Sequence, residues 1–274
     1  MNTKKIGFIG GGNMATYLLK GLIASGHPSK QLWVSDPNAK AIETISSQLI
    51  DVHCCTDNLA VTNAVDVIVL AVKPNVLKQV ALEIADIITT KQILVVSIAA
   101  GISQTSLSKW LGEKTAIVRC MPNTPSAVLT GASGMYANQN VNEHQRDLAE
   151  NILRSVGIAL WLDHEHDIDA VTAVSGSGPA YYFLLMEAME KAALELGLTE
   201  KTARLLIQQT ALGAAKIALE STDSPQRLRQ HVTSPNGTTQ KAIEIFQAGG
   251  FEELVIKALH AAKNRSIDLS QEEV

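Results

Sequence analysis

The chain has 274 residues, 46% of them hydrophobic and 18% charged, with a formal net charge of −4 at pH 7. That is a globular composition, long enough for one large domain or two of ordinary size. A net negative chain without a Lys/Arg-rich tract excludes general affinity for nucleic acid or anionic membrane, and no apolar run is long enough to span a bilayer.

The first residues, "MNTKKIGFIG", enter a strand-like run directly, without the succession of a secretory signal. Cys54, Cys55 and Cys120 form neither a CxxC pair nor a disulfide framework, so they read as reduced cysteines of a cytoplasmic protein. Through about residue 162, Val/Ile-rich runs alternate with helical periods. The runs "KIGFIG", "QLWVSD", "VDVIVLAV", "QILVVSIAA" and "AIVRCM" have the continuous apolar character of strands buried on both faces. Between them lie "NMATYLLKGLIAS" and "PNVLKQVALEIADII", and "ENILRSVGIALWLD" supplies a last helix and strand. This alternation predicts an α/β fold, a Rossmann-like doubly wound parallel sheet over residues 1–162.

From residue 163 to 274 the strands stop. "PAYYFLLMEAMEKAALELGL" starts with Pro179 in its first turn and stops at Gly197. Thr199 and Ser224 stand as caps of the next two helices, and Gly249-Gly250 separates two more. Several of these helices are apolar around much of their circumference, which predicts a homo-oligomer built on an all-α C-terminal domain.

Gly10-x-Gly12-x-x-Ala15 directly follows the first strand and opens the first helix. Glycines there let the backbone turn tightly and approach a pyrophosphate, which sits on the helix N-terminus. The second strand ends at Asp36, where an acid would bond a ribose hydroxyl and favour NAD over NADP; Ser35, Asn38 and Lys40 leave room for a 2′-phosphate, so the cofactor is NADPH or NADH. "AVKP" (Ala71, Val72, Lys73, Pro74) and "SIAAG" (beginning Ser97, Ile98, Ala99) end two further strands and suit a wall for a nicotinamide ring. The cofactor-facing set is completed by Ile9, Gly11, Asn13, Met14 and Asn58. His164 and His166, at i and i+2 without a ligand cluster, read as surface residues, so no metal is expected.

Four pieces, "GFIGGGNM", "AVKP", "MPNTP" and the pair "SGSGPAY" and "VTSPNGTT", resemble the pyrroline-5-carboxylate reductase family in order and spacing along the chain. The resemblance implies reduction of the cyclic imine 1-pyrroline-5-carboxylate to L-proline, the last step of proline biosynthesis. It implies a small imino-acid substrate, a helical domain that binds substrate and forms homodimers, and dimers that can assemble into larger rings. One departure is Asn236, where the family has the first Gly of Ser-Pro-Gly-Gly-Thr-Thr; Asn tolerates positive φ better than most residues. The resemblance assigns the substrate to Ser234, Gly237, Thr238 and Thr239. Backbone amides at a helix start would hold the carboxylate there. The Thr239 hydroxyl would lie at the ring nitrogen as the catalytic group, and Glu165 near the amine.

Two rivals are a β-hydroxyacid dehydrogenase and a non-catalytic dinucleotide-binding regulator. The first lacks its base, because Tyr182 stands where that family has a catalytic Lys. The second would bind cofactor without turning over any cyclic imine.

Overall fold

A computed structural model describes residues 4–272. The elements run β1 (Ile6–Ile9), α1 (Asn13–Ala24), β2 (Leu32–Ser35), α2 (Ala39–Gln48), β3 (His53–Cys55), α3 (Asn58–Ala64), β4 (Val67–Leu70), α4 (Pro74–Lys91), β5 (Leu94–Ser97), α5 (Gln104–Leu111), β6 (Ile117–Met121), β7 (Gly131–Ala137), α6 (Glu143–Arg154) and β8 (Gly157–Trp161). Helices follow to the end of the described chain: α7 (Asp167–Val171), α8 (Gly178–Glu195), α9 (Glu200–Glu220), α10 (Pro225–His231), α11 (Thr238–Ala248) and α12 (Phe251–Glu272). No helix among the described residues is long and apolar enough to cross a membrane.

The eight strands form one sheet in the order β3-β2-β1-β4-β5-β6-β7-β8. Strands β1 to β6 are parallel, β7 is antiparallel to β6, and β8 is parallel to β7. The sheet is therefore doubly wound and mostly parallel, with the chain reversal between β1 and β4 that places a ligand crevice at the strands' carboxyl ends. Each face is packed. Ile6, Phe8, Val67, Val69, Leu94 and Val96 point to the side of α1 and α6, whereas Ile9, Ile68, Leu70 and Val95 point to the side of α3, α4 and α5. Apolar residues on both sides of each strand are why the runs are continuous rather than alternating.

Two strands fall outside the sequence reading. β3 is three residues long, and β7, "GASGMYA", has small residues where a strand normally carries branched ones. The small residues have a packing reason: a Cβ on Gly134 would stand 2.9 Å from both γ-methyls of Val171. Helix ends follow the expected chemistry. Thr199 and Ser224 accept the amides of Thr202 and Arg227, and Gly197 takes φ +91° after α8.

The chain divides into two compact units, one of residues 1–177 with 262–274 and one of residues 178–261. Strand alternation ends earlier, at Trp161. The first unit thus also holds α7, the π-helical turn Thr172–Gly176 and the second half of α12. There Ser266 donates to Asp169 Oδ1 at 2.7 Å, both residues being buried.

Candidate functional site

In the first unit the site starts where β1 turns into α1. Ile9 is 1% exposed and contributes only backbone to the crevice. Gly10 takes φ +101°, and a Cβ there would lie 2.7 Å from the Ala71 carbonyl, so the turn passes hard against the end of β4. Gly12 is different: a Cβ would meet nothing within 4 Å. It is the N-cap of α1, no side chain caps that helix, and no acid lies in its first turn. The amides of Asn13 and Met14 therefore stand at an open, positive helix end, which fits a pyrophosphate. Ala15, the third position of the motif, is fully buried in the packing of α1.

Asp36 links two loops. Its Oδ2 accepts the Gly11 amide at 2.8 Å and its Oδ1 the Asn38 amide at 2.8 Å. Asn38 in turn caps α2 by accepting from the Lys40 amide. Ser35 is fully buried and donates to Asn58 Oδ1 at 2.7 Å, while Asn58 Nδ2 donates to Glu83 at 3.0 Å. Of this group Asn38 and Lys40 are exposed, Asp36 and Asn58 half-buried. Along the next strands, Lys73 caps α4 with Pro74 at its first position. Ala71, Val72 and Ile98 are half-buried; Ser97 and Ala99 are buried.

Further along the same unit, Glu165 lies between β8 and α7. Its Oε1 accepts from the Gln104 amide at 2.6 Å and from Arg119 Nη1 at 2.8 Å. Arg119, in β6, is 4% exposed and was not singled out from the sequence. A lone Arg between Val and Cys in a strand destined for burial on both faces is the signal that could have found it, since buried charges are kept only with a partner. Asn123 of "MPNTP" takes a tying role: its Nδ2 donates to the Ser175 carbonyl and its Oδ1 accepts the Ala132 amide. His164 and His166 stack at 5.2 Å, and no group of three or more His, Cys, Asp or Glu among the described residues could hold a metal.

In the second unit the hydroxyl loop leads into α11. Asn236 adopts φ +59°, the left-handed conformation that its glycine-like position requires. The Gly237 amide donates back to the Ser234 carbonyl at 3.0 Å, so it closes a turn rather than pointing outward. Gly237 is the N-cap of α11, with no side-chain cap. The amides of Thr238 and Thr239 follow in the first turn, without intrahelical partners. Ser234, Thr238 and Thr239 are exposed. The loop is braced from behind by Gln240, whose Oε1 accepts the Asn236 amide at 2.7 Å.

The first unit thus offers a dinucleotide cradle and the second an uncapped helix start ringed by hydroxyls. Known proteins carry both. The family described as pyrroline-5-carboxylate reductase dimerisation matches residues 165–269, and the family described as NADP oxidoreductase coenzyme F420-dependent matches residues 5–101. A pyrroline-5-carboxylate reductase of Pseudomonas aeruginosa is 52% identical over 273 residues, covering 99% of each chain. The solved structure of a pyrroline-5-carboxylate reductase from Coxiella burnetii superposes with a TM-score of 0.94 at 48% identity, over 98% of this chain and 99% of that one. That of Plasmodium falciparum pyrroline carboxylate reductase with NADP bound gives 0.87 at 29% identity, over 98% and 99%. Similarity of this degree from end to end leaves no place for the β-hydroxyacid dehydrogenase or regulator readings. The chain belongs to the pyrroline-5-carboxylate reductase family of NAD(P)H-dependent oxidoreductases.

Proposed function

We propose that this chain reduces 1-pyrroline-5-carboxylate to L-proline, the last step of proline biosynthesis, and that its residues divide the work as follows. The observation that carries the reading is the free first turn of α11, with three exposed hydroxyls around it and no carboxylate from His231 to Thr239. A small anionic ring is what such a surface selects.

The Thr238 and Thr239 amides and the Ser234 hydroxyl hold the substrate carboxylate. Hydrogen bonds to a charged group contribute about 1.5–3 kcal/mol each where water is excluded. Gly237 shapes the turn and leaves space above it. The Thr239 hydroxyl bonds the ring nitrogen and orients the C=N bond. Glu165 is assigned to the substrate amine, where an acid favours the protonated, electrophilic form of the imine. NADPH or NADH, when bound, supplies the hydride. Gly10, Gly11, Gly12, Asn13 and Met14 take its phosphates. Ser35, Asp36, Asn38 and Asn58 frame the adenosine ribose, and Ala71–Pro74 with Ser97–Ala99 form the wall for the ring.

On this reading residues 1–162 are the dinucleotide-binding domain and residues 163–274 the substrate-binding and dimerisation domain. The protein works in the cytoplasm as a homodimer joined through its C-terminal helices, and the dimers can assemble into a larger ring. Its three cysteines are free thiols, in keeping with a reducing compartment.

The test follows NADPH and NADH oxidation by absorbance with pyrroline-5-carboxylate and, separately, its six-membered homologue. Turnover of the five-membered ring, cut about 10- to 100-fold in kcat/KM by Thr239→Ala, is the expected result. Cofactor binding without reduction of either ring would overturn it.

A further inference from the structure

A buried polar cluster lies at the carboxyl end of β5, beside β6 and the start of α5. Arg119 and Ser97 are register partners on neighbouring strands, so their side chains leave the same sheet face, the one covered by α4 and α5. The same face otherwise carries the second apolar cluster, with Ile, Leu and Trp side chains. Arg119 Nε, Ser97 Oγ and both side-chain polar atoms of Gln104 are buried without a hydrogen-bond partner among the described residues.

Such a cluster works against stability. A guanidinium buried behind a single carboxylate is harder to hold than an apolar pair of the same volume. Each unpartnered polar atom adds to that cost. Where a fold departs this far from the apolar solution its neighbours adopt, the departure points to function.

What the cluster achieves geometrically is the fixing of one carboxylate. Glu165 Oε1 takes two bonds, from Arg119 and from the first amide of α5, a positive helix end that favours an anion. No bond among the described residues reaches Oε2. Ser103 caps α5 through the Ser106 amide and leaves the Gln104 amide for Glu165.

We propose that Arg119 is a positioning residue for the reduction, acting through Glu165. It pins Oε1 against the α5 N-terminus and so holds Oε2 in one orientation. This rests on the reading that assigns Glu165 a part in the reaction. The planar fork of Arg matters: Lys supplies the charge and one bond but a looser geometry.

The test is steady-state kinetics of Arg119→Met, Arg119→Lys and the double variant Arg119→Met with Glu165→Gln, using pyrroline-5-carboxylate and NADPH, with melting temperatures recorded. The double variant removes both charges and avoids leaving the half-buried Glu165 carboxylate without its cation. Arg119→Met lowers kcat/KM for the imine about 10- to 100-fold with the cofactor KM within about twofold. Adding Glu165→Gln to it changes nothing further, and Arg119→Lys recovers most of the loss. A double variant far below Arg119→Met, a parallel rise in cofactor KM, or Lys no better than Met would overturn the proposal. The two failures separate cleanly. Wild-type kcat/KM in the double variant removes Glu165 from the reaction altogether. An impaired double variant beside an unimpaired Arg119→Met removes only Arg119.

Discussion

The two units bury their apolar residues in opposite ways. In the first, β1, β4, β5 and β6 are sealed between two helical layers, and Phe8, Leu18, Leu70, Leu77 and Ile84 are fully buried. In residues 178–261, only Gly178, Ala203 and Ile207 are buried. Yet α8, α9, α11 and α12 are rich in large apolar side chains, with Tyr182, Phe183, Leu184, Leu205, Leu212, Ile245 and Leu254 all more than half exposed. An 84-residue helical unit with so little interior cannot offset its own ordering entropy. The dimerisation family that covers it points to association between copies of the chain, and on the proposed reading a second copy supplies the missing core. One unit is closed on itself, and the other leaves its apolar faces open.

The largest effect should come from breaking that second kind of core. Leu205 and Leu212 lie seven residues apart on α9, on one face, and are 58% and 63% exposed in the single chain. Leu205→Glu with Leu212→Glu places two charges in a face that would be desolvated on association. Light scattering should show the oligomer lost, and the circular dichroism of the helices should fall with it at micromolar protein. A stable, fully helical monomer would contradict the comparison directly.

Matched truncations come next. Leu70→Ala removes a side chain with no exposure at the end of β4 and should cost about 2–5 kcal/mol in urea unfolding. Leu219→Ala, at a side chain 83% exposed near the end of α9, should change stability by less than about 0.5 kcal/mol unless it too is covered by the partner. A large effect at Leu219 would extend the interface to that end of the helix.

Within the first unit, two glycines separate folding from cofactor binding. Gly10→Ala forces a Cβ into the Ala71 carbonyl at positive φ and should lose about 1–3 kcal/mol of stability. Gly12→Ala has free space and φ −72°, so the melting temperature should hold. Its methyl enters the room left for the pyrophosphate, and the KM for NADPH should rise about tenfold. Equal melting temperatures for the two variants would mean that the loop relaxes and that the contrast is not built into the fold.

Much of this was readable in the chain because its local signals agree with its tertiary structure. The glycine pattern, the continuous strand runs, and the caps at Thr199 and Ser224 each need only local chemistry, and each stands where expected. β7 was not readable, because its small residues answer to Val171 and to neighbouring strands rather than to a strand preference. Arg119 escaped for a related reason: its meaning lies in Glu165, 46 residues away. Asp36 was read toward a ribose, and the structure adds two backbone amides to the same carboxylate. The apolar character of the helices was visible, but whether that surface meets the same chain or another is decided only by packing.

The smallest effect tests the loop that ends the second unit's contribution to the site. Asn236 carries a modest strain in holding φ +59°, and its amide is tied to Gln240 Oε1. Asn236→Gly relieves the strain but frees the unfolded chain, so stability should move by only about a few tenths of a kcal/mol. Asn236→Ala keeps the amide bond and loses the tolerance for the left-handed region, at a cost of about 1 kcal/mol. If the loop positions the Thr238 and Thr239 amides, the Ala variant should raise the KM for the imine while leaving that for the cofactor alone, and the Gly variant should raise neither. Equal kinetics in both variants would show that the first turn of α11 keeps its own geometry, with the residue before Gly237 free to vary.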